Sequence, residues 1–196
     1  MRFSDELEAW VDSGATKTLG GLQETFGDRS FAVAIFLLMA PTALPLPTGG
    51  LTYVLEVTTI LLSLEMVAGR RTVWFPERLR RRELGEIATG SAVPRIAKII
   101  RWCERWSRPR GGRLIDGLLG WRLSGLVLGG LTTAAMLAPP FSGLDTLPAL
   151  GVVLIALAIL LRDVVIATIG VVVGAAGTLL MVSLGGAVVR LLRDVF

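Results

Sequence analysis

Thr52, Glu56, Thr59 and Ser63 stand four, seven and eleven residues apart, counted from the first. At about 100° per residue they fall within about 60° of one another on one helix face. The segment that carries them, Leu51–Ala68, is otherwise apolar apart from Glu65 near its end. A carboxylate inside such a segment is costly unless it faces a cavity, a partner or a cation. Two chemistries fit. Glu56 binds a proton or a cation on a polar track, or the hydroxyls bond to their own helix and Glu56 pairs with an arginine. Glu65 points away from this face and is expected to pair with Arg70 or Arg71. Arg29, Arg122 and the Arg162–Asp163 pair sit at the ends of apolar arms. They serve either as charge anchors and an ion pair at a helix junction, or as an anion site. For the second, Arg29 and Arg122 open two arms and match phosphate bidentately, and helix N-termini at nearby turns add backbone donors.

Other chemistry is excluded by what the chain lacks. It has no histidine and one cysteine, Cys103. The usual general base and the commonest metal ligand are therefore missing, and no intramolecular disulfide can form. No base stands beside a serine or threonine in a recognisable motif. The expectation is a protein that is not an enzyme and holds no metal and no cofactor.

The elements that must position these groups are apolar arms. Of the 196 residues, 53% are hydrophobic, and the mean hydropathy is +0.67. The apolar residues come in blocks, which selects a membrane protein over a soluble core. Phe31–Leu44 is followed by a turn with Pro45, Pro47 and Gly49, then by Leu51–Ala68. Arg122–Ala138 is followed by Pro139, Pro140 and Gly143, then by Thr146–Leu161, and Val164–Val189 is long enough to span alone. Each hairpin arm is short for a hydrocarbon core of about 30 Å, so the hairpins are spanning and tilted, or re-entrant.

Residues 70–113 hold thirteen arginines and lysines against four glutamates. In a soluble protein such a block suggests nucleic acid. Between apolar arms it reads as a cytoplasmic, positive-inside connection, and no nucleic acid is expected. Its second half is amphipathic, with Lys98, Arg101, Arg105 and Arg108 opposite Ile99, Trp102 and Trp106. That is the pattern of a helix lying in the headgroup layer. Trp74, Trp102, Trp106 and Trp121 are read as interface anchors. The start, "MRFSDELEAW", lacks a basic n-region and an apolar core, so the first span is expected to act as an uncleaved insertion signal.

"ALPLPTGGLT" from Ala43 and "LAPPFSGLDT" from Leu137 align at an offset of 94. The chain therefore reads as a duplicated hairpin, an arrangement common where transporter sites form at broken helices. Small residues at Gly125 and Gly129, and at Ala167, Gly170, Gly174 and Gly177, mark close helix packing, within the chain or in a homodimer. Three crossings after Arg113 put the C-terminus opposite the basic segment, whereas Arg190 and Arg193 favour the same side.

Five motifs in order carry a family resemblance: "GDRSF" at Gly27–Phe31, "LPLPTG" at Leu44–Gly49, "GRRTVWFP" at Gly69–Pro76, "FSGLDTLPA" at Phe141–Ala149 and "LRDV" at Leu161–Val164. The chain resembles the ExoD family of bacterial inner-membrane proteins, named for exopolysaccharide synthesis. It departs at Asp28, Thr48, Val73, Glu65 and Val164, where the family usually has Glu, Pro, Pro, Gln and Gly. The resemblance implies a multi-pass address in the bacterial inner membrane and a process, and no reaction.

The expected fold is an all-α integral membrane protein. It has an amphipathic N-terminal helix (1–29), hairpin repeats at 30–69 and 122–161, a basic interfacial connection (70–121) and a C-terminal span (164–189). The expected role is a small transporter or lipid carrier for an anionic lipid-linked species, such as a polyprenyl phosphate, or for an ionic substrate. Arg29 and Arg122 would hold the anion, and Glu56 would couple protons. The alternative is a non-transporting scaffold or regulator that binds anionic membrane lipids or a polysaccharide-synthesis partner through 70–113.

Overall fold

The structure is a computed structural model and describes residues 27–44, 51–71, 112–139 and 142–195, with positions 9, 101 and 105. The N-terminal amphipathic segment, most of the basic connection and the turn residues Pro45, Pro47, Gly49 and Pro140 lie outside the described residues. Among the described residues there are six helices and no strand. A 3-10 turn, Gly27–Arg29, leads into α1, Ser30–Met39. Then come α2, Leu51–Val67; α3, Gly112–Asp116; α4, Leu118–Met136; α5, Thr146–Leu161; and α6, Val164–Val195.

α1 is apolar on every side and all ten of its residues are buried. A helix with no polar face has to be enclosed by others, and α2 and α5 pack on it. It ends ahead of the expected Leu44 because Pro41 cannot continue the ladder. The chain turns there instead, with the Thr42 hydroxyl donating to the Met39 carbonyl at 2.7 Å.

Two antiparallel pairs form the rest. α2 lies against α4, with Ser63 and Met66 meeting Gly125. α5 lies against α6, where Gly151 meets Gly174, Gly170 meets Ile155 and Gly177 meets Leu147 and Pro148. A Cβ built on Gly151 would stand 2.6 Å from the Gly174 Cα, so these backbones touch because neither carries a side chain there. The glycines of α4 and α6 thus mediate packing within the chain.

The junctions are built locally. α2 ends in a Schellman motif: Gly69, at φ +85°, donates to the Met66 carbonyl, and Arg70 donates to that of Glu65. Between α5 and α6 the residues Arg162 and Asp163 have separate tasks. Arg162 takes the left-handed conformation at φ 55°, and the Asp163 carboxylate accepts the backbone N–H of Val165 at 2.9 Å, which caps α6. The expected Arg162–Asp163 ion pair is replaced by one to Asp116, with Arg162 Nε 3.4 Å from the Asp116 carboxylate.

The starts of α1, α4 and α6 and the ends of α2 and α5 share one pole of the bundle. The start of α2, the end of α4 and the start of α5 share the other. α6 is continuous from Val164 to Val195 and runs away from Arg162. Its far end therefore lies at the pole opposite Arg162. Its segment Val164–Leu184 is long and apolar enough to cross a membrane, and only 17% of it is buried inside the protein.

Candidate functional site

The polar face of α2 points inward. Glu56, Thr59 and Ser63 are all buried, and Thr52 is half-buried. The Thr59 hydroxyl donates to the Leu55 carbonyl at 2.9 Å and the Ser63 hydroxyl to that of Thr59 at 2.8 Å. Both are satisfied by their own helix, as one of the two readings held. Glu56 is different. It is 2% exposed, and among the described residues no cation stands within ion-pair distance of it. The charged group that does act on it is the Asp145 carboxylate, of like sign. A charged carboxylate enclosed with no described cation beside it costs several kcal/mol.

Asp145 was not legible as part of this site. It lies on the turn between α4 and α5, where Gly143 adopts φ +68° and the Ser142 hydroxyl donates to the Pro139 carbonyl at 2.6 Å. The antiparallel register puts Glu56, one heptad before Ser63, level with the last turns of α4. The turn carrying Asp145 follows directly. The sequence signal was the single acid in "FSGLDTLPA", but no periodicity links a turn residue to a helix face 89 positions earlier.

The arginines collect at the other pole, around Trp121. This residue is 4% exposed, so it is part of the core and not the interface anchor expected from the sequence. Its indole N–H donates to the Arg70 carbonyl at 2.9 Å, and the Phe31 ring meets it edge-on at 5.8 Å. The Arg71 guanidinium lies 5.6 Å from the indole centroid and donates to the Asp116 carbonyl. Arg122 is exposed, with its guanidinium against the Cα face of Gly69. Arg29 ends the 3-10 turn that opens α1, at this same pole. The structure thus brings Arg29, Arg122 and Arg162 to one end of the bundle. Glu56 lies about 20 Å along α2 from Gly69, toward the other end. Anion and cation groups form two centres.

Residues 3–183 match the family described as "Exopolysaccharide synthesis, ExoD". The chain belongs to the ExoD family. Protein ExoD of Rhizobium meliloti (strain 1021) is 33% identical over 169 residues, covering 82% of this chain and 68% of that protein. The uncharacterized protein slr1875 of Synechocystis sp. is 27% identical over 157 residues, covering 77% of this chain and 72% of that one. No solved structure matches. The motifs that carry the ExoD resemblance have distinct places in the fold. "GDRSF", the start of "GRRTVWFP" and "LRDV" build the arginine pole, and "FSGLDTLPA" builds the turn beside Glu56.

Proposed function

We propose that this ExoD-family chain is a multi-pass inner-membrane protein of exopolysaccharide production that handles a proton or small cation at Glu56. In this reading it is a transporter or carrier for an anionic lipid-linked or ionic substrate. The enclosed Glu56 carboxylate, without a cation among the described residues, carries the proposal. A buried acid whose neighbours do not neutralise it is retained for what it binds.

The membrane address is supported by the outward faces. Tyr53, Val57, Leu61, Leu123, Leu126 and Val172 are large and exposed on α2, α4 and α6, while Arg70, Arg71, Arg122 and Arg162 sit at one pole. The duplication is supported by position and packing. Moved by 94 residues, α2 falls on 145–161, against Thr146–Leu161 for α5. Exchanging the two units also turns the α2–α4 contact into the α5–α1 contact, and both occur.

The test is growth and exopolysaccharide yield in a strain lacking its own ExoD protein. Glu56→Gln is expected to abolish complementation while the protein accumulates normally in carbonate-washed membranes. Full complementation by Glu56→Gln would refute the role of the acid, and carbonate extraction of the wild type would refute the address. The scaffold reading rests on a different observation, the exposed Arg70, Arg71 and Arg122 at one pole. It predicts that their joint replacement by Gln abolishes complementation and that Glu56→Gln does not.

A further inference from the structure

The surroundings of Glu56 differ toward the two poles of the bundle. Toward the arginine pole the seam between α2 and α4 is closed. A Cβ on Gly125 would come within 2.7 Å of the Met66 Cβ and 2.8 Å of the Ser63 carbonyl oxygen, and one on Gly129 within 3.3 Å of the Ser63 Cβ. No atom passes between surfaces that close. Beyond that contact Met66 and Phe31 are fully buried, and Trp121 plugs the end. The hydroxyls along this route already donate to the Leu55 and Thr59 carbonyls. Toward the other pole Glu56 is five residues from the start of α2, about 8 Å. There the half-buried Asp145 stands on a turn whose Pro139, Ser142 and Gly143 are exposed.

We infer that Glu56 is reached from the pole of the α4–α5 turn and not along the α2–α4 seam, with Asp145 at the mouth, and that its ligand from that side is a proton or a small monovalent cation. Two carboxylates in sequence attract and pass a small cation, and they repel an anion. The cationic, anion-attracting centre around Trp121 is therefore served from the opposite face. The inference rests on the proposed role of Glu56 and adds its direction of access.

The test keeps Glu56 intact. Full-length protein in sealed vesicles carries Cys103→Ser and either Ser142→Cys at the turn or Leu119→Cys at the arginine pole. A bulky, impermeant thiol reagent is attached to the introduced cysteine. A water-soluble carbodiimide and glycinamide follow. The carboxyl group adds across the carbodiimide to give an O-acylisourea, and the amine attacks its acyl carbon, releasing the urea and leaving an amide. Mass spectrometry reads that amide at Glu56. The expected result is at least a tenfold loss of Glu56 amide when the 142 position is blocked and no change when the 119 position is blocked. Protection from 119, protection from neither, or no amide at Glu56 in the unblocked protein would each overturn the inference. Failure of the membrane reading appears separately, as thiol labelling of positions 142 and 119 from the same face of the vesicle.

Discussion

Gly125 and Gly130 lie five residues apart on α4, yet the same substitution at each should act with opposite sign. At Gly125 an alanine Cβ would meet the Met66 Cβ at 2.7 Å, the Ser63 carbonyl oxygen at 2.8 Å and the Val67 nitrogen at 3.0 Å. Ordinary carbon–carbon contact is about 3.5–4.0 Å, so α2 and α4 must part by about 1 Å. Two of the three atoms are backbone and cannot rotate away. Overpacking of this kind costs about 1–3 kcal/mol. At Gly130 a Cβ meets nothing within 4 Å. Alanine there gains only the helix preference, about 0.5–1 kcal/mol. The two variants should differ by about 1.5–4 kcal/mol, roughly ten- to several-hundred-fold in the unfolding equilibrium at about 1.4 kcal/mol per tenfold. Reversible unfolding of detergent-solubilised protein by dodecyl sulfate, followed by far-ultraviolet circular dichroism, reads the difference as opposite shifts in midpoint. A Gly125→Ala midpoint at or above that of the wild type would refute the α2–α4 packing, and with it the closed side of the Glu56 route.

Two further measurements test the junctions and the core. Asp163→Ala removes the cap on α6 and should lower stability by about 0.5–2 kcal/mol. Arg162→Gly should be near neutral in the same assay, because relief of about 1–2 kcal/mol of left-handed strain offsets a half-exposed ion pair of at most about 1 kcal/mol. Trp121→Ala should cost about 3–5 kcal/mol, as for a core aromatic, whereas Trp121→Phe should cost about 1 kcal/mol through the lost bond to the Arg70 carbonyl. An alanine variant as stable as the wild type would return Trp121 to the surface.

Local signals located the helices well. α5 begins at Thr146 and ends at Leu161 where hydropathy placed it, because a turn at one end and a left-handed residue at the other leave no ambiguity. α4 begins at Leu118, four residues before the apolar arm, since the exposed Arg122 turns its charge outward onto Gly69 and does not interrupt the ladder. The inward face of α2 was readable from its 3.6-residue period. What a helix face or a turn meets elsewhere in the chain was not. The like charge of Asp145 acting on Glu56, Asp116 on Arg162 and Arg70 on Trp121 link residues separated by 89, 46 and 51 positions. No period links such positions. Trp121 shows the cost of reading neighbours in sequence as neighbours in space. The sequence groups it with the other tryptophans as an interface anchor, but Phe31, ninety residues earlier, covers its edge.

The enclosure of α1 has a bearing on synthesis. Ribosomes deliver this ten-residue helix early, yet α5, which packs on it, emerges more than a hundred residues later. Until then its apolar sides are unprotected and its native neighbours are incomplete. Final assembly must therefore be late, with α1 waiting for the second half of the chain. Chains truncated before Thr146 should be poor folders and ready substrates for quality-control proteases, however faithfully their first helix forms.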